Sequence, residues 1–329
     1  MKHILNYLFT YKTLTKEQAK QVLIDISTQK YNHVEIASFL SVYAIRSVTI
    51  DEMSGFIEAL QEGCIAIDLE GYNTIDMCGT GGDEKNTFNI STIASFVVAG
   101  AGVNVAKHGN YGVSSACGSS NLLESLGYVF SHDNEKLKTE IEKTGMCYMH
   151  APLFHPPMKE VAPIRKQLGI RTFFNIAGPL VNPANPSAQA VGVYNLETAR
   201  IYKYVLQNTH KKFIILHGLD GYDEISLTGN VKIMANDFER IATPEELGFS
   251  KVLPEHIFGG ETVKEAVEIC NAILHNKATE AQKNVVIINA AMGIKSIKSE
   301  LSTDDCVAMA RESLESKKAL HVMKKLCNV

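Results

Sequence analysis

Apolar and polar positions change rhythm near residue 70. Before it, the spacing is helical. Thr15-Lys16-Glu17-Gln18 has the form of a capping box, and Ala19, Val22, Leu23 and Ile26 form one apolar face behind it. Ala37, Leu40, Ala44 and Ile45 repeat the pattern, as do Phe56, Ile57 and Leu60. Residues 1–68 therefore predict a small all-helical domain of three or four helices. From about residue 72, short apolar runs alternate with helical stretches. Strands are expected at 73–77, 103–107, 127–130, 146–149, 189–194 and 213–218, with an edge strand at 231–236. Helices are expected at 90–101, 119–126, 134–144, 157–168, 196–207, 263–275, 279–293 and 303–315. This alternation predicts an α/β domain over 72–329 with a mostly parallel central sheet and helices on its faces.

One region breaks the alternation. Pro152, Pro156 and Pro157 form one proline-rich turn, and Pro179 and Pro183 another, on either side of a helix that contains Arg165. Proline fixes φ and gives no ladder donor, so both turns read as rigid crossings. The chain is expected to leave the sheet here, revisit the helical domain through residues 157–185, and return.

Composition narrows the class. At 329 residues, 45% hydrophobic and 21% charged, the chain is long enough for two domains with sizeable cores. A net charge of −4 gives no global attraction to nucleic acid or anionic membrane, so any anion site must be local. Seven scattered cysteines with no CxxC pair read as reduced thiols. Residues 1–11 lack a sustained apolar core and read as an amphipathic helix rather than a signal peptide. The apolar stretch at 94–106 is too short to span a bilayer, which takes roughly 20 residues. A cytoplasmic protein is expected.

Three loops carry candidate chemistry. Gly79-Thr80-Gly81-Gly82-Asp83 ends a strand, and Asn89, Ser91 and Thr92 supply cap-type side chains where the next helix begins. Three glycines in four positions let backbone N–H groups approach an anion, and the helix adds its positive end. Taken alone, the loop also fits a tight turn without a ligand, and it matches neither the dinucleotide fingerprint nor the P-loop. Asp83 fits better if the ligand carries sugar hydroxyls as well as phosphate.

The second loop, Lys107-His108-Gly109-Asn110-Tyr111 with Ser114, Ser115 and Ser119, follows the next strand. It therefore lies at the carboxyl edge, where open α/β sheets bind ligands. Lys107 offers a point charge and the serines offer donors, whereas His108 taken alone reads more readily as a structural histidine than as a functional one. Asp220, Asp223 and Glu224 follow a further strand. Paired carboxylates at this edge suit Mg2+ bound with ligand phosphates, or else a solvated acidic turn.

At these residues the chain resembles the anthranilate phosphoribosyltransferase family over nearly its whole length. The resemblance rests on the two glycine-containing loops, on Arg165 to Asn175 running into Gly178 to Pro183, and on Asp223-Glu224. It implies transfer of the 5-phosphoribosyl group of phosphoribosyl pyrophosphate (PRPP) to anthranilate, with release of pyrophosphate, in tryptophan biosynthesis. It further implies a homodimer formed through the helical domain. Carried over by position, the PRPP contacts are Gly79, Gly82, Asp83, Thr87, Asn89, Ile90, Ser91, Thr92, Lys107, Asn110, Ser114, Ser115 and Ser119. The anthranilate contacts are Gly79, Asn110 and Arg165, and the Mg2+ ligands are Ser91, Asp223 and Glu224. Lys107, His108 and Asn110 would act electrostatically and by orientation, with no acid–base dyad.

The chain departs from the family pattern at two places. Tyr111 stands where the family usually has Arg, and Ser120-Asn121 stands where it often has Ala-Asp. A neutral Tyr111–Asn121 pair is expected in place of a charged one. His150 occupies a position that is aromatic in many relatives. The rival readings are a pyrimidine nucleoside phosphorylase, whose related loop reads Lys-His-Ser, and a non-catalytic relative that binds nucleic acid. The acidic net charge opposes the latter.

Overall fold

The computed structural model describes residues 1–112 and 116–328. They divide into two compact units, one of residues 1–67 and 151–183, the other of residues 68–150 and 184–329.

The first unit is helical. Its helices Lys16–Ser27, His33–Ile45 and Ile50–Glu62 each begin on a complete capping box, at Thr15/Gln18, Asn32/Glu35 and Thr49/Glu52. Its core is aromatic. Phe39, Tyr43 and Phe56 meet edge to face, and Phe173 from the returning segment stacks on Phe56 with ring centroids 4.0 Å apart. The expected helix at 157–168 is split into a 3-10 turn, Pro156–Lys159, and a helix, Ala162–Leu168. Pro163 has no N–H to bond backward, so it is tolerated only in the first turn of a new helix.

Glu52 does more than close its capping box. Its fully buried carboxylate accepts hydrogen bonds from Leu14 N (3.0 Å), Thr49 N (3.0 Å), the Tyr43 hydroxyl (3.1 Å) and both terminal nitrogens of Arg46 (2.9 and 2.5 Å). Burial alone would raise its pKa. The Arg46 bonds and then the two backbone donors outweigh burial and hold it below the usual glutamate value.

The second unit is built on seven strands: β1 (Ile75–Gly79), β2 (Val105–Gly109), β3 (Met146–His150), β4 (Ala188–Gly192), β5 (Lys212–Gly218), β6 (Val231–Ala235) and β7 (Glu239–Ala242). Their order is β3-β2-β1-β4-β5-β6-β7, with β1 to β5 parallel and with antiparallel pairing of β5 to β6 and of β6 to β7. The chain winds outward from β1 to β3 and restarts at β4 on the other side of β1. The carboxyl ends of β1 and β4 therefore flank the topological switch point. Helix Ile90–Gly100 and the stretch Val285–Ile294 of helix Glu280–Ile297 are largely apolar and buried in the core, which also holds Met77 and Val105 from the sheet. Among the described residues no helix is long and apolar enough to cross a membrane.

Three elements differ from expectation. Residues 127–130 form no strand. Tyr128 sends its hydroxyl to Glu140 (2.7 Å) and to the Tyr148 carbonyl (3.1 Å), and Phe130 stacks on His150, so this segment packs on β3 through side chains rather than a ladder. β7 is short and carries Glu239 and Arg240, which hides the period-2 signal. The closing helix, Lys318–Cys327, also goes beyond the expected elements. It buries Leu320, Met323 and Leu326 beneath a lysine-rich face.

Replacing Glu52 by Ala strands the Arg46 guanidinium and two backbone donors. A loss of about 3–5 kcal/mol of stability is expected in urea unfolding at pH 7. Because the folded pKa is depressed, the wild-type contribution is complete above the unfolded value of 4.5 and fades as pH falls through the lower folded value. The gap between variant and wild type should therefore narrow in acid.

Candidate active site

The site is assembled in the second unit, at the carboxyl ends of β1, β2 and β5. After β1, Gly81 and Gly82 adopt consecutive positive φ angles of 63° and 78°, a geometry that turns successive N–H groups to one side. The far end of this loop is fixed by Gly259 N donating to Asn86 O (2.8 Å) and Phe88 N to Ile257 O (3.2 Å), beside a bridge between Thr87 and Phe258. Asn89 does not cap the following helix through its side chain. Its amide donates instead to Cys117 O (2.8 Å) and ties this loop to the segment before Ser119.

The acidic turn after β5 packs directly against the glycine loop. Asp223 Oδ2 accepts from Gly81 N (2.8 Å), and a Cβ at Gly79 would lie 2.6 Å from that same oxygen, so residue 79 must be glycine for the approach. Glu224 Oε1 accepts from Ser91 N (3.2 Å) at the positive end of helix Ile90–Gly100. Its other oxygen, Oε2, is buried with no hydrogen-bond partner, and so is Thr80 Oγ1. Burial, and then the charge of Asp83, push Asp223 up to about 7. Burial, and then Asp223, push Glu224 well above the usual range, with Lys107 opposing.

Lys107, only 2% exposed, lies beneath the loop rather than above it. Its ammonium donates to the Met77 carbonyl and lies 3.5 Å from Ser91 Oγ. Burial lowers its pKa while Asp76, Cys78 and Glu224 act to raise it. At the end of β2, His108 N donates to Asp76 Oδ1 (3.2 Å), and the exposed Asn110 accepts Ser120 N (3.1 Å) on its carbonyl, with Ser119 Oγ 3.3 Å from the same oxygen.

Of the residues expected in the site, the structure thus connects Gly79, Asp83, Ser91, Lys107, Asp223 and Glu224 through direct bonds and fields. Asn110 and Ser119 form a second group at the end of β2. Gly82, Thr87, Asn89, Ile90 and Thr92 belong to the same loop and helix start as Gly79. Ser114 and Ser115 lie outside the described residues. Arg165 belongs to the helical unit. There its Nη2 donates to Asn175 Oδ1 (3.1 Å), its guanidinium lies over Phe174 at 5.4 Å, and its buried Nε has no partner. Among the described residues no carboxylate pairs with it, and burial lowers its pKa.

The expected Tyr111–Asn121 pair does not form. The Tyr111 hydroxyl bonds to Glu124 (3.3 Å), and Asn121 Oδ1 accepts from the backbone of Gly112 and Gly118 (both 3.0 Å). Asn121 closes a turn, a task that backbone N–H groups set and that no side-chain partner is needed for.

Two residues go beyond the sequence reading. Thr80 offers an unpartnered buried hydroxyl inside the glycine loop. Asn289, buried in helix Glu280–Ile297, donates to Ile225 O (2.8 Å) and accepts from Ile225 N (3.1 Å), and so fixes the residue next to Glu224. A single amide within the apolar run Val285–Ile294 was the available signal.

The donor set suits Mg2+. Two acids raised by burial and mutual repulsion, one with an orphaned oxygen, are relieved by a cation, and Mg2+ needs only one or two carboxylates when a ligand supplies phosphates. Among the described residues there is no cluster of three or more His, Cys, Asp or Glu side chains able to hold a metal on its own.

Residues 71–320 match the glycosyl transferase family α/β domain, and residues 2–64 match the helical bundle domain of the same family. The chain is 55% identical over 326 residues to the anthranilate phosphoribosyltransferase of Flavobacterium psychrophilum, covering 99% of this chain and 98% of that one. The crystal structure of anthranilate phosphoribosyltransferase from Thermus thermophilus superposes with a TM-score of 0.91 at 31% identity, covering 98% of both chains. The Saccharomyces cerevisiae enzyme, in complex with PRPP and Mg, shares the fold with a TM-score of 0.88 at 24% identity, covering 96% of this chain and 93% of that one. With this extent of agreement in sequence and across both domains, the chain belongs to the anthranilate phosphoribosyltransferase family.

Proposed function

We infer that the protein transfers the 5-phosphoribosyl group of PRPP to the amino group of anthranilate, releasing pyrophosphate, in tryptophan biosynthesis. The observation that carries this reading is a glycine-rich anion cradle with three carboxylates beside it. Asp83 repels Asp223 and Asp223 repels Glu224, and the buried Lys107 ammonium offsets only Glu224. Such a site repels a bare phosphate and accepts one that arrives with a divalent cation.

Ser91, Asp223 and Glu224 would hold Mg2+, which when bound offsets the charge of the departing pyrophosphate. The chain's own residues do the rest. The backbone N–H groups of Gly82 and Asp83 and the positive end of helix Ile90–Gly100 stabilise phosphate charge electrostatically, Gly81 N being held by Asp223 and Thr80 N by the Gly192 carbonyl. Lys107 holds Ser91 and Glu224 in register from below. Gly82, Asp83, Thr87, Asn89, Ile90 and Thr92 line the same loop, and Asn110, Ser114, Ser115 and Ser119 receive the ribose phosphate end. His108 and Asn110 orient the substrates.

Anthranilate is an aromatic amine with a carboxylate. Arg165 is the residue assigned to that carboxylate, and its unpartnered Nε supports this role, while Gly79 and Asn110 are the other residues assigned to anthranilate. The amine is already nucleophilic, so orientation replaces a general base.

The helical unit pairs with a second copy in a homodimer. Phe9, Tyr11, Val34 and Ile45 are all exposed around a groove of about 650 Å3 in that unit. Seven free thiols, six of them buried, suit the cytoplasm.

Pyrophosphate release from PRPP plus anthranilate, measured beside phosphorolysis of thymidine or uridine, tests the function. The first should proceed, and turnover of the nucleosides alone would replace this reading with the phosphorylase one. Arg165→Ala is expected to raise KM for anthranilate about 10–100-fold, the worth of a charged hydrogen bond, while KM for PRPP moves far less. Asp223→Ala should instead lower turnover about 100–1,000-fold and alter its Mg2+ dependence. Equal loss toward both substrates in each variant would undo these roles. Light scattering should give twice the chain mass for the wild type and the single-chain mass for Ile45→Glu.

A further inference from the structure

A second polar network, distinct from the acidic cluster, runs from β3 to the start of the helix Ser119–Ser125. The Tyr148 hydroxyl lies 2.8 Å from Ser119 Oγ and 2.7 Å from Ser120 Oγ, and Ser120 Oγ lies 2.8 Å from His150 Nδ1. Ser120, Tyr148 and His150 are all buried. A Cβ at Gly109 would meet Ser119 Oγ at 2.2 Å and the Tyr148 hydroxyl at 2.5 Å, so the end of β2 is shaped around this chain. The imidazole is fixed by stacking on Phe130, with centroids 4.4 Å apart, and by the edge of the Tyr111 ring at 4.8 Å.

Each hydroxyl in the series has one proton, so the bonds must all run in one direction. If His150 Nδ1 is bare, Ser120 donates to it, Tyr148 donates to Ser120, and Ser119 donates to Tyr148. The Ser119 proton is then occupied within the chain. If Nδ1 carries the proton, every bond reverses. Nδ1–H donates to Ser120, Ser120 to Tyr148, and Tyr148 to Ser119. The Ser119 proton is then released toward the Asn110 carbonyl, 3.3 Å away, or toward a bound anion. An ionised phosphate only accepts, so it needs the second arrangement.

We propose that Ser120, Tyr148 and His150 form a positioning relay that turns the Ser119 hydroxyl into a donor when phosphoribosyl substrate binds, by moving His150 from the Nε2–H to the Nδ1–H tautomer. The proposal rests on the reading of Ser119 as a PRPP contact. The balance closes without net charge. Each hydroxyl hands its proton one place toward the ring, from Ser119 to Tyr148, Tyr148 to Ser120 and Ser120 to Nδ1, while Ser119 takes a replacement from water and Nε2 releases its proton to water. Burial favours the neutral ring over imidazolium, with Glu124 opposing, which fits a change of tautomer rather than of charge.

The test is nitrogen NMR of the full-length protein with 15N-labelled histidine, titrated with PRPP and Mg2+. The His150 signals are assigned among eleven histidines by their absence in His150→Phe. Saturation of the wild type should move His150 from Nε2–H to Nδ1–H. Ser120→Ala cuts the chain between Tyr148 and the ring, so PRPP binding followed by calorimetry should no longer move the His150 signals. Tyr148→Phe should do the same. A wild-type tautomer that stays fixed while calorimetry records PRPP binding overturns the relay and leaves the transferase reading standing. A tautomer shift that persists in both variants also overturns it. Absence of PRPP binding to the wild type removes the functional reading and the relay with it.

Discussion

The active-site half of the molecule depends on one electrostatic constraint: two adjacent carboxylates, Asp223 and Glu224, are held out of water at the carboxyl edge of a parallel sheet. Left to themselves they would repel each other and Asp83, and burial compounds the cost. The fold meets part of that cost with donors it can place rigidly. Gly81 N bonds one acid, and the helix start at Ser91 N bonds the other. The Lys107 ammonium lies beneath. What the fold leaves unmet is an orphaned glutamate oxygen and an excess of negative charge, and these define the ligand.

The topology makes such an arrangement accessible. Because β4 restarts beside β1, the loops after β1, β2 and β5 share one edge, and each can carry a different part of the chemistry. The acids come from a segment more than a hundred residues beyond both the cradle and the donor hydroxyls. Packing behind them is correspondingly stiff. Helix Glu280–Ile297 contributes to the core and, through Asn289, also holds the backbone beside Glu224. One buried amide thus couples the core to the acidic turn.

The sequence was most legible where local chemistry is strong. Capping boxes, the glycine loop, the Lys107 loop and the alternation of strands and helices all follow from short-range rules, and the α/β class with its mostly parallel sheet follows from them. It was least legible where a residue answers to a distant partner. Asn289 looks like a blemish in an apolar helix until Ile225 is beside it. Residues 127–130 have strand composition, yet Tyr128 and Phe130 spend it on side-chain contacts with β3. Asn89 has cap chemistry and bonds Cys117 instead. Tyr111 and Asn121 look paired because they differ from the family together, but each meets a separate need, a carboxylate for one and two backbone N–H groups for the other. Joint departure from a family pattern is weaker evidence of contact than hydrogen-bond demand is.

Glu52 and Glu224 show how a buried carboxylate reveals its purpose. Both follow a local rule that a sequence can suggest, a capping box for one and an acidic turn for the other. Glu52 is met by five donors, including a bidentate arginine, and its pKa falls despite burial. Every lone pair that matters is occupied, so the residue can only hold structure together. Glu224 is met by one backbone donor and a nearby ammonium, keeps an unpartnered oxygen, and is driven the other way. A folded protein tolerates that imbalance only where something else completes it. The direction of the pKa shift, read with the count of donors, separates the carboxylate that fastens the helical unit from the one that waits for a ligand.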